Sequence, residues 1–123
     1  MKEYFVTYNL AVKLKDKGYP QNGNHYYNEK GNIDIPAYNL SDEDMSDTIA
    51  PQIHEVLKWL REEKNLHIEI WWHTQYTAKN LKGFQFVVTP ICENPQCETD
   101  LELYCNYETA ALNGIEYVID NLI

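Results

Sequence analysis

Between residues 50 and 73 the hydrophobic pattern changes period once, from that of a helix to that of a strand. Ile53, Val56, Leu57 and Leu60 recur at spacings of three and four, which places them on one helical face. Pro51 suits the first helical turn, where its missing N–H costs nothing. Asn65 suits the end, because Asn tolerates the left-handed conformation, with Arg61 and Lys64 favourably placed against the C-terminal dipole. From Leu66 the period becomes two. Leu66, Ile68, Ile70 and Trp72 take one face of a strand, and His67, Glu69, Trp71 and His73 take the other. The stretch predicts a helix over 51–64 that covers a sheet, and a strand over 66–72 that runs through it. Trp71 and Trp72 then face opposite ways, one filling the core and the other exposed.

Upstream, Tyr4, Val6, Tyr8, Leu10, Val12 and Leu14 alternate as in a strand, but Val6, Leu10, Ala11 and Leu14 also fit a helical face behind a Thr7 cap. The ending KLKDKGYP decides for a helix over 7–17, since late lysines followed by Gly18 and Pro20 form a helix stop. HYYNEKGNIDIPAY reads as a β-hairpin turning at residues 28–32. Residues 39–48, acidic and without period, predict an exposed loop. A polar connection over 74–83 leads to a second strand in GFQFVVTPI, where Pro90 marks a terminus or an edge. CENPQCETD is a loop and LELYC a short extended piece. A final helix over 107–122 is capped by Asn106, with Ala111, Ile115, Val118 and Leu122 on one face and Leu112 and Ile119 beside it. Gly114 inside that helix costs about 1 kcal/mol relative to Ala, which a close helix–sheet contact would explain. The predicted fold is α+β in a single domain, 1–123. A small, mainly antiparallel sheet of three to four strands is covered by about three helices, in the order α-β-β-α-β-β-α.

Composition narrows the function classes. At 123 residues and 44% hydrophobic content the chain can bury a core without metals or disulfides. No apolar run approaches the roughly 18 residues of a membrane span, and Asn9, Lys13 and Lys15 interrupt any signal-peptide core, so the expected location is cytoplasmic. The net charge of −9 is uneven: residues 31–50 and 91–123 hold acids and no Lys or Arg. Such a surface repels phosphate backbones, so direct nucleic-acid binding is not expected. It serves solubility, and it could dock onto a basic partner. Cys92, Cys97 and Cys105, an odd set without an export signal, are expected to be free thiols.

The partial chemical motifs in the chain each lack their second half. The cysteines lack the C-x2-C knuckle of a zinc site, even with His73 as a fourth ligand. His67-Ile68-Glu69 matches the H-x-E half of the zinc deaminases, but PICENPQC has the wrong spacing for their P-C-x-x-C. His54-Glu55 lacks the second histidine of a zincin, and SDEDMSD lacks the glycine and closing glutamate of a calcium loop. No serine-hydrolase elbow, Walker loop or dinucleotide glycine motif occurs. The expectation is therefore a protein that is not an enzyme and carries no cofactor.

VTYNLAVKLKDKGY, HYYNEKG, IAPQIHEVLKWLREEKNLHIEI and YETAALNGIEYVI, in that order and covering most of the chain, resemble a group of small proteins carried by bacteriophages and mobile elements of gut bacteria. The resemblance implies a stand-alone phage-type accessory protein and a helical first segment, and it carries over no functional residues. The leading expectation is a protein that binds a protein partner through an acidic and aromatic surface. Its contact residues are Trp71, His73, Tyr76, Asp42, Glu43 and Asp44. One alternative is a small-ligand or metal site on the His67-Glu69-Trp71-His73 face; the other is an acidic nucleic-acid mimic, which requires the acids on one side.

Overall fold

The computed structural model describes residues 5–21, 25–27, 33–34, 48–75, 81–92, 96–100 and 102–123. Among them run α1 (Tyr8–Asp16), β1 (Tyr26–Tyr27), β2 (Ile33–Asp34), β3 (Thr48–Ile49), α2 (Ile53–Glu63), β4 (Leu66–Gln75), β5 (Leu81–Pro90) and α3 (Tyr107–Asn121). The fold is α+β. Among the described residues the strands form two sheets rather than one, a three-stranded β2-β1-β3 and a two-stranded β4-β5, all antiparallel. The chain divides into two compact units, residues 1–53 and 54–123.

In the first unit, Thr7 caps α1 by accepting the Leu10 N–H on its hydroxyl at 3.3 Å. The helix ends in the six-to-one closure typical of glycine. Gly18, at φ 91°, donates to the Lys15 carbonyl at 3.1 Å, and Tyr19 donates to that of Leu14 at 2.9 Å. Leu10, Ala11 and Leu14 are buried, as the helical period requires. The tyrosine pair forms the expected hairpin, Tyr26 opposite Asp34 and Tyr27 opposite Ile33; its turn, 28–32, falls outside the described residues. Thr48 and Ile49, expected as the end of a loop and the approach to a helix, instead pair with the other edge of β1. Two residues are too short to show a period, so this strand is fixed by its partner rather than by its own pattern. Residues 39–47 fall outside the described residues.

Pro51 lies just ahead of α2 rather than in its first turn. Its carbonyl accepts from Val6 at 3.0 Å, and Gln52 bridges Phe5, so the residues before α1 and before α2 run antiparallel. Proline fits there because only its carbonyl is used. The buried Tyr27 hydroxyl donates to the Val6 carbonyl, and its ring takes the edge of Tyr8 at 5.4 Å between centroids. Burial also raises the Tyr27 pKa, since ionisation would place a charge away from water.

In the second unit, α2 buries Val56 and Leu60 and ends at Asn65, whose φ of 56° is the left-handed stop expected of it. Lys64 lies over the Trp59 ring at 5.3 Å, so its charge meets an aromatic face as well as the helix end. The Asn65 carbonyl accepts from Ile91 at 2.7 Å, which carries the strand ladder up to the helix cap. β4 and β5 then pair without interruption from Leu66–Pro90 to Gln75–Leu81. The ribbon therefore extends through Thr74, Gln75 and Lys82, which the polar pattern predicts as a connection. Backbone pairing needs no apolar side chains, so the hydrophobic pattern stops before the ladder does.

A further extended segment flanks the outer edge of β5. Phe84 and Tyr104 exchange two hydrogen bonds of 2.8 Å, and Val88 and Glu98 exchange another two of 2.8 Å. Gly83 permits this: a Cβ there would lie 2.9 Å from both the Leu103 Cβ and the Tyr104 carbonyl oxygen.

Among the described residues the helix with extensive contacts to β4 and β5 is α3, not the helix over 51–64 that the change of period predicts as the cover. Asn106 caps it, accepting from Thr109 N–H at 2.7 Å, and Ala110, Ala111, Gly114, Ile115, Val118 and Ile119 are buried along one side. Gly114 marks the tightest approach, since a Cβ would meet the Ile68 Cγ2 and the Phe86 Cβ and Cγ at 3.1 Å. Phe86 and Val88, fully buried in this unit, each stabilise it by about 1.5–3 kcal/mol.

Replacing an exposed helical glycine by alanine stabilises by about 1 kcal/mol, whereas overpacking a filled core costs about 1–3 kcal/mol. Because the Phe86 Cβ is fixed to its backbone, overpacking wins at Gly114. Gly114→Ala is expected to lower the denaturant-unfolding free energy by about 1 kcal/mol. A gain in stability would show that α3 does not sit this close to the ribbon.

Candidate functional site

Among the described residues the distal half of the β4–β5 ribbon carries the most exposed large hydrophobic side chains, Trp71 and Trp72. On one face Leu66 and Ile68 are buried, Ile70 is half-buried, and Trp72 is 59% exposed. The alternation is as predicted, but its outcome is not: neither tryptophan fills the core. Trp72 shares its face with Phe84, its cross-strand partner, and the two rings meet edge to face at 5.1 Å. Phe84 in turn meets Tyr107 at 6.2 Å. Tyr107 is the first residue of α3, so that helix ends its cover at Phe84. Trp72 lies on the β4 side of that limit. The result is a run of three rings, Trp72–Phe84–Tyr107, with Tyr107 itself 44% exposed.

On the opposite face Trp71 is 55% exposed. Its indole N–H donates to Glu69 Oε2 at 2.7 Å, while Glu69 Oε1 lies 3.2 Å from His67 Nε2. One carboxylate therefore holds two neighbours on a strand of period two and fixes the orientation of the exposed ring. His73, half-buried, continues the face. Of the expected contact residues, Trp71 and His73 are thus brought together on one surface. Tyr76, Asp42, Glu43 and Asp44 fall outside the described residues.

The segment beside β5 concentrates negative charge. The Tyr104 hydroxyl donates to Asp100 Oδ2, and Asp100 Oδ1 accepts from the Glu102 N–H at 3.0 Å. The Tyr104 ring stacks on Phe86, with centroids 6.3 Å apart. Burial pushes the Tyr104 pKa well above its ordinary value, and the hydrogen bond to Asp100 and the charges of Asp100, Glu102 and Glu116 push it further. Cys92, Cys97 and Cys105 are free and exposed, with Thr89 Oγ1 at 3.4 Å from Cys97 Sγ. Among the described residues no group of three His, Cys, Asp or Glu side chains is arranged to hold a metal ion.

Sequence reasoning singled out Trp71 but missed Trp72, Phe84 and Tyr107 as a continuous surface. A signal was present: Asn106 marks where α3 starts, and the pairing of Trp72 with Phe84 follows once the hairpin register is known.

Glu69→Ala removes the acceptor that holds the Trp71 indole. It should shift the Trp71 Nε1–H resonance while changing unfolding free energy by less than about 0.5 kcal/mol, because the contact is exposed. An unmoved resonance would show that Glu69 does not orient the ring. For Tyr104, the folded pKa lies above the unfolded value of 10.0, so the folded chain keeps a proton that the unfolded chain loses. Its contribution is complete below pH 10.0 and is lost as the pH rises beyond it. Unfolding free energies at about pH 9 and about pH 11 should therefore fall less steeply in Tyr104→Phe than in the wild type. Equal slopes would contradict the burial and charge assigned to this hydroxyl.

Compared with family profiles, with curated proteins and with solved structures, the chain finds no match.

Proposed function

We propose that this chain is a non-enzymatic interaction protein, a phage-type accessory protein, that binds a protein partner through the exposed tryptophans of the β4–β5 ribbon and the acids beside it. The observation that carries the reading is the exposure of two consecutive tryptophans, Trp71 at 55% and Trp72 at 59%, on opposite faces of one strand. Leaving a large aromatic in water forgoes burial worth about 1.5–3 kcal/mol, which a partner recovers when it covers the ring. Tryptophan is among the residues most enriched in side chains that dominate binding energy. The phage-type assignment draws on the resemblance of the helix and hairpin motifs.

A second reading, a small-ligand or metal site on the His67–Glu69–Trp71–His73 face, draws on the two contacts of Glu69. A retention assay tests the first. Immobilised wild type and a Trp71→Ala/Trp72→Ala double variant of equal thermal stability are incubated with a bacterial lysate at low and moderate salt. The interaction reading predicts saturable retention of a protein by the wild type and its loss in the double variant. Equal retention by both, or none by either, contradicts it.

A further inference from the structure

We infer that the Trp72–Phe84–Tyr107 run is a docking surface for a Lys- or Arg-bearing segment of another protein, an inference that rests on the interaction reading and names the chemistry of its partner. The three rings form one continuous strip, joined at 5.1 and 6.2 Å, with Trp72 and Tyr107 presenting more than two-fifths of their surface to water. Edge-to-face packing on Phe84 holds both outer rings in place, so little order is lost when a partner covers them.

Charge decides the occupant. Residues 91–123 contain seven acids and no Lys or Arg, and this stretch supplies both Tyr107 and the segment paired with Phe84. Asp100, Glu102 and Glu116 act on the Tyr104 hydroxyl, and Tyr104 is the residue bonded to the Phe84 backbone. Glu108 follows Tyr107 in the first turn of α3. Carboxylates on the segment paired with Phe84 and at the start of α3 add direct attraction to that of the negative ring face, outnumbering Lys82, which stands two residues from Phe84 on β5. A second copy docked strip to strip would bring the acids of residues 91–123 against one another. Nucleic acid and anionic lipid carry the same repelled sign. A basic polypeptide is the class that both the rings and the carboxylates attract.

The probe is a fluorescein-labelled octa-arginine peptide, followed by anisotropy against the full chain, with an octa-glutamate peptide as control. Saturable binding to the wild type is expected, about tenfold weaker in Trp72→Ala and partly restored in Trp72→Phe. Binding equal in wild type and Trp72→Ala would reduce the effect to net charge and overturn the docking surface. No octa-arginine binding, or equal binding of octa-glutamate, would overturn the basic partner. If tryptophan-dependent retention from lysate persists in that case, the interaction reading survives and only the partner's chemistry is wrong. If both are lost, the interaction reading fails as well.

Discussion

The contact between Gly114 and the pair Ile68 and Phe86 sets the geometry of the second unit. Even an alanine at that position would force the helix and these side chains apart by a few tenths of an ångström. With glycine, the α3 backbone seats where a Cβ would come within 3.1 Å of both strands. Ala110 and Ala111, one turn earlier, are fully buried and small enough to allow a close approach there too. The helix thus gives up propensity at Gly114 and gains dense packing, which in a filled core outweighs the loss.

That seating fixes what remains uncovered. Asn106 caps α3, so the helix begins at Tyr107, and Tyr107 reaches Phe84. The ribbon, however, continues to the Gln75–Leu81 pair. Its inner half is buried by the helix, and its outer half is held by backbone pairing and by the Phe84–Tyr104 bridge that Gly83 allows. Stability and availability for contact are in this way divided along a single hairpin. The paired backbone keeps Trp71 and Trp72 in fixed directions, and Glu69 restrains the first of them.

Much of the local structure was legible because its causes are local. Thr7, Gly18, Asn65 and Asn106 each end or start a helix through a side-chain bond or a left-handed backbone that the residue type itself favours. The change of period at Leu66 marked β4, and an otherwise costly glycine pointed to the helix–ribbon contact. What could not be read has tertiary causes. β3 is two residues long and exists through its pairing with Tyr26 and Tyr27. The polar ends of β4 and β5 are held by the ladder, which leaves no hydrophobic trace. Trp72 alternates correctly with Ile70 and Ile68, yet burial on that face depends on how far α3 reaches. The candidate surface follows from the same fact: its rings come from β4, β5 and α3, and no single stretch of sequence contains it.

Everything proposed for the ribbon depends on α3 covering it around Ile68 and Phe86 while leaving Trp71 and Trp72 open. Hydroxyl-radical footprinting read out residue by residue tests this most directly. Rapid modification of both Trp71 and Trp72 is predicted, with Phe86 protected in the folded chain and modified only on unfolding. Protection of Trp72 comparable to that of Phe86 would mean that the ribbon is covered to its tip, and would contradict this division of the hairpin.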